Sequence, residues 1–203
     1  MKEKAGTALA QPTTRVVGKR ELSDSNDDLT FWLSQSPVAR LLALQNLRRQ
    51  HTILFGMELI TDFQDLVKLL NTHQVEYMIA GGFAVAMYGY PRYTGDIDIW
   101  VNPTQQNAVY MLQVIQQLGF ADHHVTLEDL TTPDIVVQLG YPPNRIDMST
   151  GLTGVDFAAC WERKVSQPFG NTTAYFISLN DLRETKKATA RQQDLLDLQN
   201  LPE

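Results

Sequence analysis

Two aspartates one residue apart, Asp96 and Asp98, stand inside the apolar run Ile97, Ile99, Trp100 and Val101. If this segment is extended, side chains alternate with a period of two and both carboxylates fall on one face of a strand. Two unit charges about 4 Å apart repel by roughly 4 kcal/mol at an effective dielectric near 20, so a partly buried pair calls for a cation. Ligation by carboxylates alone suits a hard divalent ion, Mg²⁺ or Mn²⁺. The plainer alternative is a solvated Asp-x-Asp at a strand end.

Separated from Asp96 by thirteen residues lies the pair Gly81-Gly82, after the β-prone run Val75 to Ala80 and before Phe83 to Tyr88, which reads as a helix start. A strand, two glycines and a helix can make a phosphate cradle. Glycine lets the backbone approach the anion, and the amides of the helix start face it. A plain tight turn would use the same residues. Arg92 and Thr94, just before the aspartates, either reach phosphate or brace Asp96 and shape the loop.

A third acid follows. Ile135 to Leu139 and Arg145 to Ser149 read as two short strands joined by Gly-Tyr-Pro-Pro-Asn, and Asp147 sits between Ile146 and Met148. An isolated buried carboxylate costs several kcal/mol unless paired or coordinated. Arg145 shares its face, so Asp147 is either half of an Arg–Asp pair or a third metal ligand that also takes a proton.

An apolar residue, Gly-Gly, about a dozen residues, then Asp-apolar-Asp-apolar resembles the signature of the nucleotidyltransferase superfamily, typified by DNA polymerase β and kanamycin nucleotidyltransferase. The tail from Ser178 to Leu198 resembles the Leu-x-Asp-Leu, Lys-x-x-Ala, Arg-x-x-Asp-x-x-Asp run of AbiEii-type toxins within it. Lys187 and Ala190 match Lys-x-x-Ala, and Asp194 with Asp197 matches Asp-x-x-Asp. The resemblance implies metal-dependent transfer of a nucleoside monophosphate from an NTP to a hydroxyl, with release of pyrophosphate. It implies Asp96, Asp98 and Asp147 as ligands of Mg²⁺ or Mn²⁺, with Asp147 as base. Gly81, Gly82, Arg92, Thr94, Lys186 and Asp194 would bind the nucleotide. Lys187 is placed at the phosphates, although Lys186 can take the same register. Many relatives carry Gly-Ser where this chain has Gly81-Gly82, so backbone amides alone must serve here. By spacing alone, Asp194, Asp197, Lys187 and Arg191 also fit a solvated, ion-paired helix face.

Elements must position these groups. The expectation is an α/β protein: a nucleotidyltransferase fold with a small mixed sheet flanked by helices, an N-terminal helical extension and C-terminal helices. Residues 1–26 read as a mobile tail, with five Lys or Arg against three Asp or Glu and few large apolar groups. Residues 27–74 read as the helical extension and 75–203 as the nucleotidyltransferase domain. Ser36-Pro37 opens a helix to Gln50. Ile60, Phe63, Val67 and Leu70 mark a second over Met57 to Thr72, and both are expected to pack on the sheet. A crossover helix spans Thr104 to Leu118, and Leu179 to Leu201 closes the chain as one or two helices.

The remaining composition narrows the class. One cysteine, Cys160, excludes an internal disulfide and a Cys-rich zinc site and reads as a small core residue. His123-His124 reads as a polar loop, because adjacent histidines project differently and no third spaced ligand accompanies them. No apolar run approaches twenty residues and no signal-like stretch opens the chain, so the expectation is a cytoplasmic protein with no membrane partner. A net charge of −6 argues against a long duplex DNA track. The expected partners are an NTP donor, an acceptor RNA or protein and an antitoxin protein. A small antibiotic-like acceptor, or a degenerate site that only binds nucleotide, are the alternatives.

Overall fold

The computed structural model of the chain describes residues 27–55, 63–120, 125–141 and 144–203. The expected tail, the part of the second helix before Phe63 and His123-His124 lie outside the described residues. In chain order the elements are α1 (Asp27–Ser34), α2 (Pro37–Phe55), α3 (Phe63–Thr72), β1 (Tyr77–Ile79), α4 (Gly81–Met87), β2 (Asp96–Val101), α5 (Gln105–Gln117) and α6 (Leu127–Thr131). There follow β3 (Val136–Leu139), β4 (Arg145–Ser149), α7 (Phe157–Trp161), β5 (Val165–Phe169), β6 (Thr172–Phe176), α8 (Leu179–Thr189) and α9 (Gln192–Asn200).

Six strands form one mixed sheet in the order β3-β4-β2-β1-β6-β5, so the protein is α/β with helices flanking the sheet. β1 is central, and Tyr77, Met78 and Ile79 are all fully buried. It runs antiparallel to β2 and parallel to β6. β4 returns parallel to β2 after the crossover through α5, while β3 and β5 lie antiparallel to β4 and β6. Thr104 caps α5 by accepting from the amide of Asn107. Asn107 in turn bonds both backbone groups of Glu76, which pins the crossover to the start of β1.

The apolar period predicts the packing. Leu66, Val67 and Leu70 of α3 are fully buried, and burial of each contributes about 1.5–3 kcal/mol. Leu41 and Leu44 of α2 join the same core, so both helices pack as expected. Arg40 ties α2 to its surroundings: Nε donates to the carbonyls of Trp32 and Gln35, and Nη1 to that of Met87 at the end of α4. α2 runs past its expected end at Gln50 to Phe55, because no glycine or proline stops it before Gly56.

The β5–β6 hairpin is not anticipated from the sequence. Its first strand is short and carries Pro168, which marks an edge strand. Gly170 makes its turn at φ +63, and an added Cβ there would meet the side chain of Gln64 at 2.2 Å.

Candidate active site

β2 alternates strictly at its start. Ile97 and Ile99 are fully buried on one face, which leaves Asp96 and Asp98 on the other. The β2–β4 register places Asp98 directly opposite Asp147 and Asp96 opposite Arg145. Three carboxylates and one guanidinium therefore share one face of two neighbouring parallel strands, which lie about 4.8 Å apart.

Arg145 holds this group together. Its Nε donates to Asp147 Oδ1 at 2.6 Å, and its Nη2 to Asp147 Oδ2 at 2.9 Å and to Asp96 Oδ2 at 2.5 Å. The pair of Arg145 with Asp147, one of the two readings the sequence allows, is present, and it extends to Asp96. Thr94 Oγ1 donates to Asp96 Oδ1 at 2.6 Å, so Thr94 braces the aspartate. From β3, Gln138 Nε2 donates to Asp147 Oδ2 at 3.0 Å. Sequence reasoning passed over Gln138; its signal was the hairpin register, which sets it opposite Asp147.

Asp98 is placed differently. Among the described residues no Lys or Arg reaches it at ion-pair distance. Burial, then the charges of Asp96 and Asp147, push its carboxyl up to about 6, against a hydrogen bond from the Gly82 amide and the charge of Lys186. The glycine turn leaves room for this side chain. Gly81 has φ +53, and a Cβ on it would lie 1.7 Å from Asp98 Oδ2. The amide of Gly82, expected to face an anion, is spent on Asp98.

A cleft of about 660 Å³ opens over this face, with α8 and the α8–α9 turn as its other wall. Gly81, Asp96, Asp98, Asp147, Lys186 and Asp194 all line it; Gly82, Arg92, Thr94 and Lys187 do not. Arg92 instead grips Asp197 with Nε at 2.7 Å and Nη2 at 2.8 Å, which fastens the loop before β2 to α9.

The two lysines separate cleanly. Lys186 is 5 % exposed, and its Nζ donates to Asp194 Oδ1 at 3.0 Å and Asp197 Oδ2 at 2.7 Å. Lys187, the residue expected at the phosphates, points outward and pairs with Glu184 at 2.8 Å. The helical period decides this, since Leu182, Thr185 and Lys186 share the buried stripe of α8. Nor is the acidic pair a solvated face: Asp194 and Asp197 are 2 % and 0 % exposed. Burial alone would raise both carboxyls. Hydrogen bonds from Arg191, Thr189 and Lys186 outweigh it at Asp194, those from Arg92 and Lys186 at Asp197, and both are held below the usual carboxylate range.

Oxygen donors facing one cleft fit the chemistry of a hard divalent ion. That one cation already bridges Asp96 and Asp147 shows that the face accepts positive charge. Arg145 bridges Asp96 and Asp147, and among the described residues no group of three or more His, Cys, Asp or Glu stands ready to hold an ion. Cys160 is fully buried and burial pushes its thiol up to about 11, which suits its expected place in the core. No helix among the described residues is long and apolar enough to cross a membrane. The chain matches no protein-family model and none of the curated proteins.

Proposed function

We propose that the chain is a metal-dependent nucleotidyltransferase with a nucleotidyltransferase fold, moving a nucleoside monophosphate from an NTP to a hydroxyl of RNA or protein. The observation that carries the reading is the register of Asp98 against Asp147 on neighbouring parallel strands, with Gly81 closed against Asp98. Asp96 and Asp98 are the residues that would hold Mg²⁺, with Asp147 beside them. When bound, Mg²⁺ neutralises the triphosphate and lowers the pKa of the acceptor hydroxyl.

The chain's own residues divide the remaining work. The acceptor oxygen forms a bond to the α-phosphorus as the bond to the bridging oxygen breaks, and pyrophosphate leaves with that electron pair. Asp147 takes the hydroxyl proton. Thr94 and Gln138 hold Asp96 and Asp147 in orientation. Lys186 is the lysine of the cleft wall, and its charge reaches Asp98. A net charge of −6 supports an acceptor gripped locally and not along a duplex. A toxin role, with an antitoxin partner, follows the resemblance of the C-terminal run.

The test is transfer of label. The protein is incubated with each α-labelled NTP and Mg²⁺, with total RNA, cell lysate or an aminoglycoside panel as acceptor. Label on RNA or protein is the expected result. Label on the aminoglycoside would favour a small-molecule enzyme, and no transfer with no Mg²⁺-dependent NTP binding would sink the enzyme reading.

A further inference from the structure

The guanidinium of Arg145 lies between Asp96 and Asp147 and is bonded to both. We infer that Arg145 is the resident counter-ion of the acidic face: a positioning residue that competes with the divalent ion and must leave Asp96 before the ion binds. The inference rests on reading Asp96, Asp98 and Asp147 as a metal site.

Its geometry is that of a bridge. Arg145 stands opposite Asp96 in register and two residues before Asp147 on one strand, so a single planar fork spans both carboxylates. Nη2 alone is shared between Asp96 Oδ2 and Asp147 Oδ2. Arg145 pairs with both acids, through Nη2 to Asp96 and through Nε to Asp147. Its charge offsets the mutual repulsion of the neighbouring carboxylates.

The bridge is also placed to open. The Arg145 side chain is 27 % exposed, so it has a solvated direction in which to swing. A part-exposed ion pair is a weak lock compared with a buried one. Thr94 holds the second oxygen of Asp96 and Gln138 holds Asp147, so both acids keep a partner once the fork departs. A displaced guanidinium at the rim of the cleft is then available to an anion, which couples metal loading to arrival of the triphosphate.

Mn²⁺ affinity of the full chain, read by electron paramagnetic resonance with and without ATP, tests this. Arg145→Gln should bind Mn²⁺ roughly tenfold tighter than the wild type in the absence of ATP. It should also melt lower without metal and regain that loss with Mg²⁺. Arg145→Lys, which keeps the charge but cannot span both acids, should lie between the two and stands in if Arg145→Gln fails to fold. Asp98→Asn should lose the ion in either background. Equal or weaker Mn²⁺ affinity in Arg145→Gln, or wild-type affinity in Arg145→Lys, overturns the counter-ion role and leaves the carboxylate site standing. No ion bound by any variant, even with ATP, overturns both.

Discussion

Two charged clusters border the same cleft, and they are built in opposite ways. In the α8–α9 cluster, Asp194 and Asp197 are buried and share Lys186, Arg191 and Arg92, so cations outnumber acids and both carboxyls are depressed. On the β2–β4 face, Asp96 and Asp147 share the guanidinium of Arg145, no described Lys or Arg pairs with Asp98, and Asp98 is pushed up to about 6. The first cluster is satisfied and closes the C-terminal helices onto the loop before β2. In the second, no described Lys or Arg lies at ion-pair distance from Asp98. Under the proposed reading, the second cluster is the one that would take a cation.

The largest effect should come from the undercompensated cluster. Asp98→Asn is expected to cost transfer about 10³-fold or more in the label assay, while the melting temperature holds or rises because a buried, repelled carboxylate is gone. A large fall in melting temperature would mean that Asp98 is structural and the contrast false.

Asp197→Ala should do the reverse. It leaves Arg92 without its carboxylate partner and the buried Lys186 with Asp194 alone, and the expected loss is about 3–5 kcal/mol in urea unfolding. Its effect on transfer should follow from unfolding alone, so activity per folded molecule is the discriminating readout.

The two clusters also tilt stability with pH in opposite senses. The folded-state carboxyl of Asp98 is raised, so its contribution is fully present below the unfolded value and is lost as pH rises through about 6. Asp194 and Asp197 are depressed, so theirs is present above the unfolded value, about 4, and is lost as pH falls through the folded one. Without divalent ions, the gap in melting temperature between Asp98→Asn and the wild type should widen from about pH 4 to just above 6. A constant gap would remove the claim that Asp98 is undercompensated.

The smallest effect is expected at Lys187. It is exposed and paired only with Glu184, so Lys187→Ala should change stability by no more than about 0.5 kcal/mol and leave label transfer unchanged. Loss of transfer would restore the register in which Lys187, and not Lys186, meets the phosphates.

What the sequence made legible follows from local period. The alternation in Asp96 to Val101 placed both aspartates on one face, and the turn residues between Leu139 and Arg145 marked the β3–β4 hairpin that carries Asp147. The stripe Leu182, Thr185 and Lys186 in α8 could have chosen between the lysines, and the motif match drew attention to Lys187 instead. Long-range contacts were not legible. Nothing near Arg92 announces Asp197, more than a hundred residues away, and the bridge from Arg145 to Asp96 depends on a cross-strand register that only the assembled sheet fixes. The β5–β6 hairpin stayed hidden because Pro168 interrupts an already short strand signal.

The most direct test of the central claim is a crystal of the full chain grown with Mn²⁺ and a non-hydrolysable NTP analogue, read by anomalous scattering. The account predicts a Mn²⁺ peak bonded to Asp96 and Asp98, with the triphosphate beside Gly81 and Arg145 withdrawn from Asp96. A peak elsewhere, or none with Arg145 still bridging Asp96 and Asp147 while the analogue is bound, would contradict it.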